Sequence, residues 1–302
     1  MTLPKCILPN TTYLVTRRCT QRMFLLKPTP LNTRIFTYCL AVAAKKAGFL
    51  VHAIVVISNH YHVVCSDPEG RLPEFTAHLH KLVAKCVNAS LGRWENLWSS
   101  EKPSAVALKN DSDVMDKLVY TACNPVEAGL VAKAKHWPGL VAFLPGQTLR
   151  ANRPEVFFSR DGQMEESVEL TLTMPPQFAD LGEQGYIAEL TKRIESKERE
   201  IQDSMEQSGC SFMGRKSLRM QRHTDSPQTT EPRRTLNPQV ACRSKWHRIE
   251  ALQRLKRFAV EYKKALERWR EGNHDVVFPA GTYAMRIHAG VRCAAPEQLA
   301  PG

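Results

Sequence analysis

LVHAIVVI (Leu50–Ile57), SN (58–59) and HYHVVC (60–65) follow one another without interruption. Each apolar run has the length and the β-branched content of a strand. Serine and asparagine are typical turn residues, because their short side chains form hydrogen bonds with the local backbone. The sequence therefore predicts a tight hairpin of two antiparallel strands at this point.

A strand and a helix are predicted before the hairpin. Residues 11–16 (TTYLVT) have the β-branched and aromatic composition of a strand. Asn32 and Thr33 are candidate caps for a helix that runs to residue 47, with two lysines in its last turn and Gly48 as its stop.

The same pair of elements is predicted after the hairpin. Pro73 is placed to open a helix that ends at Gly92, and Ser104–Leu108 (SAVAL) follows as a strand. A further helix is expected over 113–123, interrupted at Pro125 because the position before a proline disfavours helical dihedral angles. The order β-α-β-β-α-β predicts an α+β fold with a ferredoxin-like antiparallel sheet.

The pattern loosens beyond residue 145. A loop-rich stretch with one strand at 168–173 precedes a charged helix over 183–205, and a second long helix is expected over 246–272. The stretch between these helices is rich in cations and contains three prolines, which indicates a basic linker. The predicted units are 1–145, 146–210, 211–245 and 246–302.

Composition favours a soluble protein with a polyanionic partner. The 302 residues suffice for one large core or two smaller ones, and 43% hydrophobic with 24% charged residues is ordinary for a globular protein. The formal net charge of +12 points first to nucleic acid. A solvated basic surface without a specific partner is the alternative interpretation.

Cysteine usage and the terminal sequence predict a cytoplasmic protein. The nine cysteines include no C-x-x-C pair, which argues against a zinc ribbon, and their odd number argues against a closed disulfide framework. The first residues lack the apolar core of a signal peptide, and no apolar run is long enough to span a membrane. A phosphate-binding G-x-x-x-x-G-K-[ST] loop is also missing from the sequence, so no nucleotide cofactor is expected.

His60-Tyr61-His62 is the strongest local chemical feature. Side chains alternate along a strand, so both imidazoles point to one face with Cα atoms about 7 Å apart and can converge on one cation. Two ordinary histidines of the surface or core are the alternative. His78-Leu79-His80 has the same spacing on a predicted helix, where residues two apart diverge, so that pair is not expected to bind a metal.

Tyr120 is the second feature. If its segment is helical, Tyr120 and Asn124 are separated by four residues and share one face, which presents a phenol and an amide oxygen together. A core tyrosine and a helix-ending asparagine are the alternative interpretation of the two residues.

Taken together, these segments resemble the single-tyrosine HUH transposases, and most closely the REP-associated tyrosine transposases. The resemblance rests on residues 9–21 (PNTTYLVTRRCTQ), on 58–62 (SNHYH) and on 120–131 (YTACNPVEAGLV). It covers roughly residues 7–145, about half of the chain. Residues 1–145 are therefore interpreted as an HUH nuclease domain, and the basic, mainly helical remainder as an accessory region.

The resemblance implies a site and a reaction. Tyr120 would be the nucleophile, and His60, His62 and Asn124 would hold Mg²⁺ or Mn²⁺. The reaction would cleave and transfer single-stranded or hairpin DNA through a 5′-phosphotyrosine intermediate, by a monomer or a homodimer. Two departures are present: Tyr61 lies between the histidines where the family carries an aliphatic residue, and Asn124 replaces a frequent glutamine. Tyr61 is the second candidate for the nucleophile, although strand alternation should turn it away from the metal.

Contacts to DNA are expected after the first strand. Arg17, Arg18 and Arg22, with Tyr13 nearby, form a cluster that suits phosphate binding and base stacking. A solvated cationic turn is the alternative. Trp94 and Trp98, which flank a short polar segment, are expected to pack in the core.

Three other functions remain possible at this level. The chain could be a former transposase that binds structured nucleic acid without cutting it, or an HUH replication or mobilisation nickase. It could also be a metal-dependent hydrolase in which Tyr120 is structural. Covalent capture of DNA separates the first and the last of these from a strand transferase.

Overall fold

The hairpin lies in the middle of a sheet. β2 (Leu50–Ile57) pairs antiparallel with β3 (His60–Asp67), and β3 pairs antiparallel with β1 (Thr11–Arg18). β4 (Ser104–Leu108) pairs antiparallel with β1 on its other side. The computed structural model describes residues 4–156, 163–229 and 238–296.

Two strands from later in the chain extend this sheet at its edges. β5 (Val141–Ala142) pairs with β2, and β8 (Val240–Ala241) pairs parallel with β4. The sheet order is β5-β2-β3-β1-β4-β8. β6 (Thr148–Asn152) and β7 (Ser167–Thr171) form a separate antiparallel ribbon.

Seven helices lie in the described part of the chain, and three-residue or six-residue 3-10 turns connect some elements. They are α1 (Pro30–Ala47), α2 (Leu72–Leu91), α3 (Asp111–Glu127), α4 (Gly182–Gln207), α5 (Gly214–Met220), α6 (Lys245–Arg270) and α7 (Ala284–Ala289). The sheet and these helices confirm the predicted α+β class.

Strand alternation divides the core into two layers. Side chains such as Val15, Tyr61 and Val63 belong to the larger cluster, together with residues of α1 and α2. Leu14 and Val64, their neighbours along the strands, belong to a second cluster with residues of α3 and α4. The sheet is therefore covered by α1 and α2 on one face and by α3 and α4 on the other.

The start of α1 differs from the predicted cap. Thr29 is the N-cap, and its hydroxyl accepts a hydrogen bond from the Asn32 backbone N–H at 3.1 Å, with Pro30 in the first turn. The Asn32 amide instead donates to the carbonyls of Leu25 and Lys27. Proline fits the first turn because its missing N–H has no helical partner there. Gly48 ends the helix in the left-handed conformation with φ 69°, as predicted.

The predicted break of the helix at Pro125 is wrong. α3 continues through Pro125 to Glu127, and the Ala128 N–H still donates to the Asn124 carbonyl at 3.0 Å. Ala122 and Val126 on either side are fully buried. Burial of this apolar face outweighs the local preference of the residue before proline.

The second half of the chain packs against the first. The predicted helices over 183–205 and 246–272 are observed as α4 and α6, and the predicted strand over 168–173 as β7. The stretch 211–245, interpreted as a linker, contains α5, whose Leu218 is fully buried, and β8. Residues 230–237 of that stretch lie outside the described residues. Within the described ranges, no helix is both long and apolar enough to cross a membrane.

Candidate active site

His60 and His62 lie on one face of β3. They are separated by one residue along the strand, and their ring centroids are 4.9 Å apart with the rings nearly perpendicular. Register places His60 opposite Arg18 and His62 opposite Thr16 on β1. His62 is 5% exposed, whereas His60 is half-buried at the start of the strand. The two imidazoles therefore lie on one face of the strand, as alternation predicted.

Each imidazole is held through its Nδ1 atom. The Asn59 side-chain oxygen lies 2.6 Å from His60 Nδ1, and the Thr16 hydroxyl lies 2.7 Å from His62 Nδ1. The Asn59 oxygen can only accept, so His60 Nδ1 carries the proton and the lone pair of the neutral ring lies on Nε2. When Thr16 accepts as well, His62 has the same tautomer. Outer contacts of this kind orient histidines that ligate metals.

Tyr120 on α3 contacts this pair. Its ring centroid is 5.1 Å from that of His62, in an edge-to-face arrangement. Lys117, one turn earlier on α3, places its Nζ 5.3 Å from the centre of the Tyr120 ring. Asn124, one turn later, is 7% exposed on the same helix. Packing of α3 across β2 and β3 brings the phenol to the imidazoles.

The donor atoms suit a hard to borderline divalent cation. Two imidazole Nε2 lone pairs and an amide oxygen from Asn124 match the ligands that Mn²⁺ accepts, and the thiols nearby are not part of the set. Across the described ranges, no cluster of three or more His, Cys, Asp and Glu side chains is arranged for a metal. A metal at this site would thus depend on the amide of Asn124 or on oxygen atoms of a bound substrate.

Tyr61 lies on the opposite face of the sheet. It is fully buried, and its hydroxyl forms a 2.6 Å hydrogen bond with Nε2 of His80 on α2. Burial raises the pKa of Tyr61 well above its ordinary value. The second candidate for the nucleophile is therefore enclosed in the core, as strand alternation predicted.

The remaining histidines near these elements are structural. His80 is buried among Tyr61 and Trp98, and burial lowers its pKa to about 3. His78, two residues earlier, is half-buried on another side of α2. His52 is the extra residue of a β-bulge in β2, where its Nδ1 lies 2.8 Å from the Thr173 carbonyl oxygen and its Nε2 2.8 Å from the Ser66 hydroxyl.

The predicted DNA-contact cluster is divided by the sheet. Arg18 shares the face of His60 and also forms a 3.6 Å ion pair with Glu101. Arg17 points to the other face, where its guanidinium lies 5.4 Å from the ring of Trp98. Tyr13 is 4% exposed in the larger core cluster, so its ring has no surface on which a base could stack. Arg22 donates to the Thr229 carbonyl and, at 2.9 Å, to its hydroxyl.

The two tryptophans of residues 94–98 have opposite environments. Trp98 is 7% exposed and donates to the His80 carbonyl at 2.9 Å, as expected for a core residue. Trp94 is 97% exposed, so the expectation that it packs in the core is wrong. The helix ends at Gly92 before Trp94, and the following segment is held by backbone bonds to Thr20 rather than by its own apolar contacts.

A cavity of about 770 Å³ opens beside Tyr120. Its walls are α3, α4 and the segment from Pro238 to Arg248. Its cationic side chains are Lys117, Arg193, Lys197, Arg243 and Arg248, and its acids are Asp113, Asp116, Glu127 and Glu200. Burial raises the pKa of Glu127, opposed by Lys197. The cavity thus joins the candidate nucleophile to the C-terminal half of the chain.

Several contributors to the site were not identified from the sequence. Lys117 could have been found, because a residue three positions before Tyr120 on a helix shares its face. Asn59 was interpreted only as a turn residue, although it directly precedes His60. Thr16 and Arg243 had no sequence signal, because cross-strand register and the path of the distant segment bring them to the site.

Comparisons with known proteins find similar solved structures. No model of a known protein family matches the chain, and no curated protein matches it. A REP-associated tyrosine transposase bound to a REP hairpin is similar, with 18% identity and a TM-score of 0.38 over 46% of this chain and 80% of that one. A putative transposase from Deinococcus radiodurans R1 has 14% identity and a TM-score of 0.29 over 39% of this chain and 93% of that one. The first of these structures belongs to the family that the sequence motifs resemble.

Proposed function

We propose that this protein is a single-tyrosine HUH transposase, which cleaves and transfers single-stranded or hairpin DNA through Tyr120. The observation that carries the proposal is the cluster of three side chains, with His62 4.9 Å from His60 and 5.1 Å from Tyr120 between ring centroids. His60 and His62 belong to one of the three segments that resemble the family, and Tyr120, far along the chain, belongs to another. The strand order β2-β3-β1-β4, with α1 and α2 on one face, supports a ferredoxin-like nuclease domain.

The reaction assigns a separate role to each side chain. The Tyr120 oxygen attacks the scissile phosphorus, the bond from phosphorus to the 3′ oxygen breaks, and the departing oxygen takes up a proton as a 3′-hydroxyl. Tyrosine then carries the 5′ phosphate. In the second step a 3′-hydroxyl attacks the phosphotyrosine, and the phenol is released. The ester keeps the bond energy, so no nucleotide cofactor is consumed.

Positive charge lies beside the attacking side chain. The Lys117 ammonium is 5.3 Å from the centre of the Tyr120 ring. A divalent cation held by His60, His62 and Asn124 would offset negative charge on the scissile phosphate. Asn59 keeps His60 in the tautomer that such a ligand role requires, and Thr16 does the same for His62 when its hydroxyl accepts.

The test is covalent capture of DNA. Purified protein is incubated with end-labelled hairpin and single-stranded DNA pools, with Mn²⁺ or with EDTA, and separated on denaturing gels. A protease-sensitive adduct is expected with Mn²⁺ and is lost in Tyr120→Phe. Tyr61→Phe is the matched control, because it removes the hydroxyl of the other candidate nucleophile and should keep the adduct.

Metal binding is tested separately from activity. Addition of Mn²⁺ should raise the melting temperature of the wild-type protein, and this rise should be lost in His62→Gln and kept in His78→Gln. Tight DNA binding without any adduct across a broad substrate pool would favour a nucleic-acid-binding protein that no longer cuts. A cleaved strand without a tyrosine adduct would favour a metal-dependent hydrolase.

A further inference from the structure

Helix α6 carries half of the net charge of the protein. Its 26 residues include nine lysines and arginines and three glutamates, a net charge of +6, against +12 for the whole chain. A single solvated helix of this length is about 39 Å long, which is comparable to one turn of duplex DNA.

The packing of α6 leaves the cations on its outer surface. Ala251, Phe258 and Ala265, spaced by seven residues, form its buried stripe. Arg257, Lys264 and Arg268 fall within about 40° of one another around the helix axis, outside that stripe. Lys256 is adjacent to them, and all four are exposed.

Within the described residues, most cations of α6 are not paired with a neighbouring acid, and two are. Arg254 forms a 2.5 Å ion pair with Glu250, and Lys263 a 3.9 Å pair with Glu267. In contrast, no carboxylate of the described ranges is paired with Lys256, Arg257, Lys264, Arg268 or Arg270. A surface helix with this many unpaired cations is unfavourable by itself, because like charges repel.

α6 has a fixed position relative to the candidate active site. Just before it, β8 pairs with β4, and Arg243 bonds to Asp113 through its backbone N–H at 2.9 Å and to Asp116 through its guanidinium at 2.7 Å. The segment after it returns to the N-terminal half, where the Ile7 N–H donates to the Gly281 carbonyl at 2.9 Å. Arg248 in its first turn lines the cavity that contains Tyr120.

We propose that the outer surface of α6, defined by Lys256, Arg257, Lys264 and Arg268, binds the phosphate backbone of the DNA that Tyr120 acts on. The evenly spread cations suit a polyanion with regularly spaced charges. Arg257 and Lys264, seven residues apart, lie about 10.5 Å from each other along the helix. Arg248, at the start of α6, lies on another side of the helix and lines the cavity, so a duplex stem along α6 would end beside the cavity that contains Tyr120.

The choice of DNA as the ligand rests on the proposed function. Binding at α6 does not require that the DNA be cleaved. The contacts are to phosphates, so they add affinity that depends on salt and not on sequence. Removal of the cations is therefore expected to weaken binding to all hairpins alike and to leave the chemistry at Tyr120 unchanged.

The experiment measures the salt dependence of binding. Tyr120→Phe protein, which separates binding from cutting, is titrated with a fluorescent DNA hairpin carrying a single-stranded extension, in EDTA, over a range of salt concentrations. Lys256→Gln, Arg257→Gln, Lys264→Gln and Arg268→Gln are combined in one variant. Glutamine keeps helix propensity, and all four sites are exposed, so the fold should be retained and is checked by circular dichroism.

The matched control removes the same charge from helices α1 and α2. Arg34, Lys45, Lys46 and Lys81 are exposed on α1 and α2, and their replacement by glutamine also lowers the net charge by four. A plot of the logarithm of the DNA-binding constant against the logarithm of the salt concentration has a negative slope. The magnitude of this slope should decrease by about 2 to 4 in the α6 variant and by less than about 1 in the control. An Arg257→Lys, Arg268→Lys variant keeps both charges and should keep the slope.

Equal slopes in the α6 variant and the control would overturn the proposal. A second result would also overturn it. If the α6 variant lost the binding of the wild-type protein to vesicles of phosphatidylserine and phosphatidylcholine while its DNA salt slope stayed unchanged, the helix would serve a membrane surface. The adduct assay at saturating DNA, run with Tyr120 intact, distinguishes failure of this proposal from failure of the proposed reaction.

Discussion

Replacement of His52 by glutamine should remove a defined part of the acid sensitivity of the fold. His52 lies in the β-bulge of β2, is 1% exposed, and binds Ser66 and the Thr173 carbonyl as a neutral ring. Burial lowers its pKa from 6.5 to about 4, and the bond to Thr173 offsets this only in part. Glutamine can still accept a hydrogen bond from Ser66 and cannot be protonated in this range.

The sign and size follow from proton linkage. The unfolded chain, with a histidine pKa near 6.5, binds a proton before the folded protein does, so stability is present above about pH 6.5 and is lost as the pH falls toward 4. The difference of 2.5 pKa units corresponds to about 3 kcal/mol in total. Between pH 7 and pH 5, about 2 kcal/mol of the free energy of unfolding should be lost through this residue.

The assay is urea unfolding at pH 7, 6 and 5, followed by circular dichroism. The glutamine variant should start less stable at pH 7 and lose about 2 kcal/mol less than the wild type on acidification. His80 titrates in both proteins, so its contribution cancels in the comparison. A difference in acid loss below about 0.5 kcal/mol between the two proteins would refute the reasoning.

Three other changes have expected outcomes. Thr16→Val removes the hydroxyl bound to His62 Nδ1 and should weaken Mn²⁺ affinity about 10- to 100-fold, measured by calorimetry, while the fold is kept; unchanged affinity would contradict the outer-contact role. Leu118→Ala, at a fully buried position between α3 and the sheet, should lower the free energy of unfolding by about 2–5 kcal/mol in urea titrations, whereas a change at the exposed Leu252 should cost far less. Gly281→Ala should destabilise the docking of the C-terminal segment, because Gly281 has φ +88° and a Cβ there would lie 2.5 Å from Cys6 Sγ. The expected readout is more rapid limited proteolysis of that segment. Gly209→Ala is the control for backbone strain alone, because Gly209 has φ +64° but open space around it.

The hairpin and its flanking elements were predictable because their signals are local. The bounds of β2 and β4 agree with the prediction residue for residue, and α2 ends at Gly92 as expected. The apolar runs, turn residues and helix stops each act within a few positions. The errors fall where packing overrides a local preference: Pro125 lies inside α3 because its neighbours are buried, and the cap of α1 is Thr29 because Asn32 is used to bind the preceding loop.

The candidate site could be predicted only in part for the same reason. The shared face of His60 and His62 was predictable because both the spacing and the strand were evident in the sequence. Strand alternation also predicted that Tyr61 points away from the two histidines, and in the structure its hydroxyl forms a hydrogen bond with His80 in the core. Trp94 was misplaced because the sequence does not reveal whether a loop lies on the core or above it, and Tyr13 was assigned to a surface although alternation puts it in the larger core cluster.

The sequence by itself determined the α+β class, the hairpin that carries the two histidines, and the excess of positive charge, because each depends on residue type and short spacing. Only the tertiary structure decided that Tyr120 contacts His62, that Thr16 and Asn59 hold the imidazoles, and that α6 is anchored beside the same cavity. Asn59 directly precedes His60, but the other contacts join residues tens to hundreds of positions apart. They arise from the way α3 packs across the sheet and from the pairing of β8 with β4, which follow from the burial of whole surfaces and not from any local motif.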